Sequence, residues 1–264
     1  MKRMRLIIAT VPAALLAVPA GAMGAPPECM GQVATIAGTG TGDALIGTAG
    51  ADVIWGGPGD DVIDGRGGDD LICGGGGNDE IRGGGGDNQL DGGNGDDSLI
   101  GGGGIDAING RAGRDVIVPR GNLNWSVGGK GADRFVILVG DHEVFGRGGR
   151  DTVDASGSPG PVDVDLRDNG SGGSLASGSV GALLFSVENV IGSRFDDTIG
   201  GEPGANVLAG RGGDDRLLGR GGDDALRGNA GDDTLLGGSG EDDLDGGTGT
   251  DTCVSGATVV DCEL

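Results

Sequence analysis

The chain has 264 residues, of which 65 are glycine and six are aromatic, and its formal charge is −23 at pH 7. So few aromatic residues cannot build an ordinary aromatic-rich core, and each interior glycine disfavours a helix by about 1 kcal/mol. Helical bundles and conventional α/β enzymes are therefore disfavoured as fold classes. Nucleic acids and anionic membranes are disfavoured as partners because like charges repel.

Residues 1–24 have the pattern of a cleaved secretory signal peptide. Lys2, Arg3 and Arg5 precede an apolar run over residues 6–17, and small residues follow it. This order is typical of a signal peptide, and the run is shorter than the ~20 residues of a membrane span. A membrane anchor is the less favoured alternative. The mature protein is expected to be secreted and extracellular, with no transmembrane segment after cleavage.

Four cysteines in an exported chain favour two disulfides. Cys29 and Cys73 lie near the front of the chain, and Cys253 and Cys262 lie near its end. Local pairing, Cys29 with Cys73 and Cys253 with Cys262, is favoured among the three possible connectivities. A zinc site is the alternative, but the sequence has no C-x-x-C pair and one histidine.

A nonapeptide repeat fills most of the remaining chain. Thirteen repeats run without a gap over residues 38–154, and seven more run over residues 192–254. Their pattern is G-G-x-G-x-D-x-U-x, where U is a large apolar residue, and its positions are numbered one to nine below. Position six is aspartate in sixteen of the twenty repeats, and the exceptions are Asn88, Asn124, His142 and Asn206.

Each part of the repeat has a physical task. Glycines at positions one, two and four allow the positive φ values of a tight turn, and positions seven to nine form a short strand with one inward side chain. Two repeats then make one coil of eighteen residues, and coils stack at ~4.8 Å, which brings the position-six carboxylates close together. These carboxylates repel one another unless a cation lies between them. Calcium suits such a site because it accepts six to eight hard oxygen ligands in a tolerant geometry, whereas magnesium demands a tighter octahedron.

These repeats resemble the haemolysin-type (RTX) calcium-binding nonapeptide family of secreted bacterial proteins. The resemblance covers residues 38–154 and 192–254, and the segment at residues 185–193 is similar to those that precede such arrays. It implies an all-β fold, a right-handed parallel β-roll (β-solenoid), that forms when multiple Ca²⁺ ions bind. It also implies that the position-six aspartates are calcium ligands: Asp43, Asp52, Asp61, Asp70, Asp79, Asp97, Asp106, Asp115, Asp133, Asp151, Asp197, Asp215, Asp224, Asp233, Asp242 and Asp251.

The chain is expected to have five parts. They are the signal peptide (1–24), an N-terminal cap with the first array (29–154), a connecting segment (155–191), the second array (192–254) and a C-terminal cap (255–264). Alternating apolar residues in the connecting segment predict two wider coils that bind no calcium and keep the solenoid continuous, with a flexible linker as the alternative. The whole rod is expected to be on the order of 60 Å long.

The aspartates are not evenly distributed between odd and even repeats. In the first array, the odd repeats all carry aspartate at position six, whereas the even repeats include Asn88, Asn124 and His142. In the second array the odd repeats are again complete. This predicts that one edge of the rod binds calcium more fully, although an asparagine oxygen could instead leave a weakened site. His142 is interpreted as a drifted repeat position rather than a ligand or a catalyst.

The sequence contains no catalytic constellation. It has no H-E-x-x-H, G-x-S-x-G or Walker motif, and its acidic residues are accounted for as ligands. The predicted function is therefore calcium binding by a non-catalytic structural or adhesion module, with an extracellular glycan or cell-surface protein as partner. The alternative is a repeat protein in an extracellular polysaccharide-active system whose catalytic part lies elsewhere. The outward residues Trp55 and Phe145 mark a binding surface or lie beneath the connecting segment.

Overall fold

A computed structural model describes residues 27–121, 123–138, 140–167, 173–177, 180–254 and 258–262. The signal peptide predicted at residues 1–24 lies outside the described residues. All regular structure in the described residues is β-strand. This agrees with a sequence in which glycine breaks every potential helix at intervals of nine residues.

Two long sheets face each other across the molecule. Sheet one contains β3 (Ile36–Ala37), β5 (Val53–Pro58), β7 (Leu71–Gly76), β9 (Gln89–Asn94), β11 (Ala107–Ala112), β13 (Asn124–Lys130), β15 (Gly140–Gly148), β17 (Asp163–Asp165), β18 (Gly173–Ser177), β19 (Val180–Phe185), β21 (Thr198–Gly200), β23 (Arg216–Gly221), β25 (Thr234–Ser239) and β27 (Thr252–Val254). Sheet two contains β4 (Ala44–Ile46), β6 (Val62–Asp64), β8 (Glu80–Gly84), β10 (Ser98–Gly102), β12 (Val116–Val118), β14 (Arg134–Val136), β16 (Thr152–Asp154), β20 (Asn189–Ile191), β22 (Val207–Ala209), β24 (Ala225–Ala230), β26 (Asp243–Thr248) and β28 (Thr258–Val260).

The pairing confirms the predicted coil of two repeats. Ile54 pairs with Ile72 in sheet one and Ile63 pairs with Ile81 in sheet two, both in parallel strands eighteen residues apart. Successive repeats therefore alternate between the sheets, and about twelve coils stack into a parallel β-solenoid.

The core is a column of position-eight side chains between the sheets. Ile54, Ile72, Leu90, Leu99 and Leu217 are all fully buried there. Each strand contributes one such side chain because successive residues of a strand point to opposite faces. Burying one leucine or isoleucine contributes roughly 1.5–3 kcal/mol, so the solenoid gains stability coil by coil.

The connecting segment departs from regular coils in sheet one. There β19 pairs in parallel with β15, β18 pairs antiparallel with both β19 and β17, and β17 pairs in parallel with β21. Sheet two continues directly from β16 through β20 to β22. The expected wider coils thus take the form of an antiparallel detour that adds strands to one sheet only, and parallel pairing runs unbroken through the other.

Both predicted disulfides are present. Cys29 lies in β1 (Glu28–Cys29), which pairs antiparallel with β2 (Gln32–Val33), and it is bonded to Cys73. Cys253 is bonded to Cys262, so the C-terminal segment that carries β28 is tied to the last position-eight residue of the second array.

Candidate calcium sites in the turns

The turns have positive φ at positions two and four. Gly57 and Gly59 have φ of 108° and 119°, and the same pattern recurs from coil to coil. Arginine also occupies position two with positive φ, as at Arg66 (69°) and Arg147 (78°). This conformation is costly for a side chain other than glycine. The prediction that position one also needs positive φ is wrong, since no glycine at position one has it.

Position one is glycine because the backbone approaches a carboxylate there. A Cβ added to Gly74 would lie 2.2 Å from the Oδ2 of Asp79 and 2.6 Å from the carbonyl oxygen of Gly92 in the next coil. At Gly92 the corresponding distance to the Oδ2 of Asp97 is 2.3 Å. Position one therefore keeps a space open between a side-chain oxygen and a main-chain oxygen.

One oxygen of each position-six carboxylate joins neighbouring coils. The backbone N–H of Asp61 donates to Oδ1 of Asp79 at 2.9 Å, and the N–H of Asp79 donates to Oδ1 of Asp97 at 2.8 Å. Because each acceptor lies eighteen residues after its donor, these bonds form a ladder along the turn. The carboxylates are almost completely buried, with Asp79 and Asp97 each 2% exposed.

The second oxygen of most of these carboxylates is buried and accepts no hydrogen bond. Within the described residues this holds for the Oδ2 of Asp61, Asp70, Asp79, Asp97, Asp106, Asp115, Asp133, Asp151, Asp215, Asp224, Asp233 and Asp242. A buried carboxylate oxygen without a partner carries a large desolvation cost. A repeated set of such oxygens beside main-chain carbonyls offers the hard oxygen ligands that calcium prefers. Since no three acidic, histidine or cysteine side chains converge on one point in the described residues, main-chain oxygens must complete any such ligand set.

In the first turns of each array, protein groups donate hydrogen bonds to the position-six carboxylate oxygen that is without a donor elsewhere. The Oδ2 of Asp43 accepts the N–H of Thr39 at 2.6 Å, that of Asp52 accepts the N–H of Thr48 at 2.6 Å, and that of Asp197 accepts the N–H of Ser193 at 2.6 Å. Hydroxyl groups of the same residues donate to these carboxylates as well. Three of the sixteen predicted aspartates are therefore already satisfied by protein donors.

A second acidic ladder at position five was not foreseen from the sequence. Its members are exposed, and each accepts the N–H of the residue eighteen positions later: Asn78 donates to Asp60 at 2.7 Å, and Asp96 donates to Asn78 at 2.8 Å. At position five, the side-chain oxygen of an asparagine accepts the same hydrogen bond as an aspartate carboxylate. The frequent Asp-Asp pair at positions five and six was the available signal, because the two residues point to opposite sides of the turn.

The pKa is raised for twelve position-six carboxyls: Asp61, Asp70, Asp79, Asp97, Asp106, Asp115, Asp133, Asp151, Asp197, Asp215, Asp224 and Asp233. Loss of hydration on burial is the main cause, and it raises the pKa to about 7 for Asp97, Asp151 and Asp215. A backbone hydrogen bond lowers it in part, and neighbouring carboxylates of the ladder raise it again. The pKa of exposed Asp96, by contrast, is lowered because the backbone N–H of Arg114 donates to it. A cation between the coils would hold the buried carboxyls in their charged form.

Asparagine closes the turns in which it replaces aspartate. The Nδ2 of Asn88 donates to Oδ1 of Asp106 at 3.0 Å, and the Nδ2 of Asn124 donates to the carbonyl oxygen of Pro119 at 2.8 Å. In the repeats of Asn124 and His142, position one is Pro119 and Ile137 rather than glycine, and Ile137 is fully buried. A side chain thus stands at position one of these two repeats, where glycine leaves room elsewhere.

The intact ladder changes edges between the two arrays. Edge one denotes the turns that lead into sheet one, and edge two those that lead into sheet two. In the first array the complete set from Asp43 to Asp151 lies on edge two, whereas the complete set from Asp197 to Asp251 in the second array lies on edge one. The prediction that one edge of the rod binds calcium more fully treated the odd repeats of both arrays as one edge, and they lie on different edges. In sheet two, the single strand β20 lies between β16 of the first array and β22 of the second. The odd repeats of the first array are therefore in line with the even repeats of the second array.

Glu188 carries the edge-two ladder across this junction. Its Oε2 accepts the N–H of Asp151 at 2.8 Å, as a position-six aspartate would, and its carbonyl oxygen accepts the Nδ2 of Asn206 at 2.7 Å. Only residues 186–188 lie between Phe185 and Asn189, whereas the six residues 146–151 lie between their register partners Phe145 and Thr152. The longer glutamate side chain reaches the position that aspartate occupies elsewhere.

Replacing Asp97 by asparagine is expected to remove bound calcium, because an amide nitrogen would take the place of the free oxygen, as Asn88 shows. We expect at least one calcium ion fewer per chain, measured by elemental mass spectrometry, and a loss of about 1–3 kcal/mol in unfolding free energy. Asp96→Asn is the matched control: it alters the adjacent residue at position five, where Asn78 already serves. Equal calcium content in both variants would contradict the assignment of the two ladders.

The stacked parallel coils and the buried, half-satisfied carboxylates define a calcium-binding β-roll protein. The family model described as RTX calcium-binding nonapeptide repeat (4 copies) matches residues 37–72, 74–108, 91–119, 191–226 and 218–253, more than half of the chain. The chain belongs to this family, whose repeats bind multiple Ca²⁺ ions. No curated protein matches the chain as a relative. In the described residues, no helix is long and apolar enough to cross a membrane.

Proposed function

We propose that the protein is a secreted, non-catalytic binding module whose β-roll forms when calcium binds between its coils. The observation that carries the proposal is the row of buried Oδ2 atoms without donors, repeated at intervals of eighteen residues. In the metal-free protein these charges would be buried beside one another, which destabilises the folded state. A cation that binds the folded state but not the unfolded chain therefore stabilises the fold.

The proposed ligands are the twelve position-six aspartates whose Oδ2 has no donor, together with Asp251 in the last repeat. The carbonyl oxygen at position one of the following coil is the proposed main-chain ligand, since it faces the same space as Oδ2. Asp43, Asp52 and Asp197 are proposed to bind calcium most weakly, because their Oδ2 atoms already accept hydrogen bonds from Thr39, Thr48 and Ser193.

An extracellular site of action is supported by two features. The chain has a signal-like N-terminus, and its four cysteines form two disulfides, which persist in oxidising compartments. Calcium is also the cation that such compartments supply in quantity to low-affinity protein sites. The partner is proposed to be an extracellular glycan or a cell-surface protein, and the module to act by binding rather than by catalysis.

Calcium titration of the metal-free protein is expected to raise the strand signal in circular dichroism cooperatively. The physical reason is that each ion relieves repulsion between buried carboxylates in two adjoining coils. Magnesium at the same concentration is the control and should produce little strand signal, because it dehydrates reluctantly and requires a near-ideal octahedron. A strand signal unaffected by chelation, after thorough metal removal, would contradict calcium-dependent folding.

A further inference from the structure

The last turn of the first array faces a shorter turn from the connecting segment. Phe145 stacks on Phe185 at 4.7 Å, so Phe145 lies against this segment, which is one of the two surroundings predicted for it. Beyond this pair, the array turns through residues 146–151 and the segment through residues 186–188, after which the two chains pair again. Each residue of a turn supplies one carbonyl oxygen. A cation between these two turns therefore finds fewer main-chain ligands than one between two regular turns.

The carboxylate of Asp151 lies in the array turn of this junction. Asp151 is completely buried, its Oδ1 accepts the N–H of Asp133 at 2.9 Å, and within the described residues its Oδ2 is buried without a hydrogen bond. A Cβ added to Gly146 would clash with this Oδ2 and with the carbonyl oxygen of Ser186. Position one of a regular turn has the same two neighbours. Ser186 therefore supplies the carbonyl oxygen that a repeat glycine supplies elsewhere.

The backbone of the short turn is held in a conformation that only glycine adopts freely. Ser186 has a φ of 51°, in the left-handed region, and such strained residues cluster where a protein clamps a ligand. The next residue, Val187, is 4% exposed and belongs to the hydrophobic core, so it anchors the turn. The carbonyl oxygen of Ser186 is thereby fixed beside the free oxygen of Asp151.

Glu188 ends the short turn and is held by the coils on both sides. Its Oε2 accepts the N–H of Asp151, and its own N–H donates to the carbonyl oxygen of Asp151 at 3.2 Å. From the second array, the Nδ2 of Asn206 donates to the carbonyl oxygen of Glu188, a bond that an ionised aspartate at 206 could not make. Because Oε2 has the role of the Oδ1 of a position-six aspartate, Oε1 is left in the role of its Oδ2.

We infer that a calcium ion binds at this junction to the Oδ2 of Asp151, the carbonyl oxygen of Ser186 and the Oε1 of Glu188. Two carboxylates supply hard, charged oxygens of the kind that calcium prefers, and the longer glutamate replaces main-chain oxygens that the short turn lacks. The inference rests on the proposed function, since it extends the edge-two calcium sites into the connecting segment. It gives that segment calcium ligands that the repeat pattern does not indicate. Its attachment to the first array then depends on calcium.

Anomalous scattering from crystals of the calcium-loaded full chain tests the site directly. We expect an ion at about 2.3–2.6 Å from the Oδ2 of Asp151, the carbonyl oxygen of Ser186 and one oxygen of Glu188. Glu188→Gln keeps an oxygen acceptor for the N–H of Asp151 but removes the charge. This variant should still fold in calcium, and it should lose the junction ion while it keeps the ions between regular turns.

Glu241→Gln is the matched control, because Glu241 also lies in an edge-two turn but is exposed at position five, where its N–H donates to Asp223. It should leave the junction ion in place.

The position of the ion in the native chain decides the question even if Glu188→Gln does not fold. An ion on Asp151 and Ser186 that Glu188 does not contact would overturn the inference, and so would an ion that Glu188→Gln retains. Circular dichroism of the same samples reports calcium-dependent folding separately. A chain that folds with calcium yet has no ion at the junction overturns the junction site alone, whereas a chain that folds without calcium overturns the proposed function.

Discussion

Alanine in place of Gly74 is expected to unfold the surrounding coils or to strip them of calcium. The new methyl carbon would lie within 2.2 Å of the Asp79 Oδ2 and 2.6 Å of the Gly92 carbonyl oxygen, so at least one of these oxygens must move. Overpacking alone costs about 1–3 kcal/mol, and displacement of two proposed calcium ligands adds to it. The measurement is calcium-dependent thermal unfolding, with calcium content determined on the same samples.

Gly76→Ala provides the control within the same turn. No atom lies within 4 Å of a Cβ at Gly76, and its φ is not positive. Alanine there should be neutral or stabilise the protein by up to about 1 kcal/mol, because it restricts the unfolded chain. If both variants lose the same stability, position one is not reserved for the approach of the carboxylate.

Lowering the pH is expected to stabilise the folded state of the metal-free protein, as calcium binding does at neutral pH. Burial raises the pKa of Asp97, Asp151 and Asp215 to about 7, and that of Asp79 and Asp115 to about 6, in the folded metal-free chain. Between the ordinary aspartate value of about 4 and these raised values, the folded state binds more protons than the unfolded state. Its stability is therefore greatest near pH 4 and falls as the pH rises towards 7, by up to about 1.4 kcal/mol per pH unit for each such group.

The measurement is circular dichroism of the metal-free protein between pH 4 and pH 8 in the presence of a chelator effective across that range. The strand signal should grow as the pH falls, and the apparent affinity of the folded chain for calcium should decrease at the same time because protons compete for the same oxygens. The Asp97→Asn variant should show a smaller dependence on pH, since its amide does not titrate. A strand signal that is independent of pH would refute the role of buried carboxylates in keeping the metal-free chain unfolded.

Much of the fold follows from two positions of the repeat. The apolar residue at position eight and the aspartate at position six recur every nine residues, which determines the coil, the parallel pairing and the burial of both side chains. The function of glycine at position one did not follow, because a close approach between Gly74 and the next coil depends on how coils stack. Composition alone cannot distinguish a glycine that needs positive φ from one that needs space.

The relation between the arrays was also beyond the repeat pattern. Which edge each ladder occupies depends on the number of coils in the connecting segment. The length of that segment does not give the number of coils, because much of it forms the antiparallel strands β17 and β18. The role of Glu188 as the acceptor for the Asp151 N–H could not be predicted either, because its turn is shorter than that of the nonapeptide repeat and has no position six. The register of β20 between β16 and β22 decides both points, and it is a property of the folded chain.

The two ladders of hydrogen bonds run in opposite directions along the rod. The buried N–H at position six finds its acceptor in the coil that follows, as Asp61 does in Asp79, whereas the exposed N–H at position five finds it in the coil before. A protein emerging N-terminus first, from a ribosome or through a membrane pore, therefore cannot complete the interior of any coil until the next one has arrived. The most recently formed coil therefore always has a position-six amide whose carboxylate acceptor lies in the coil that has not yet formed.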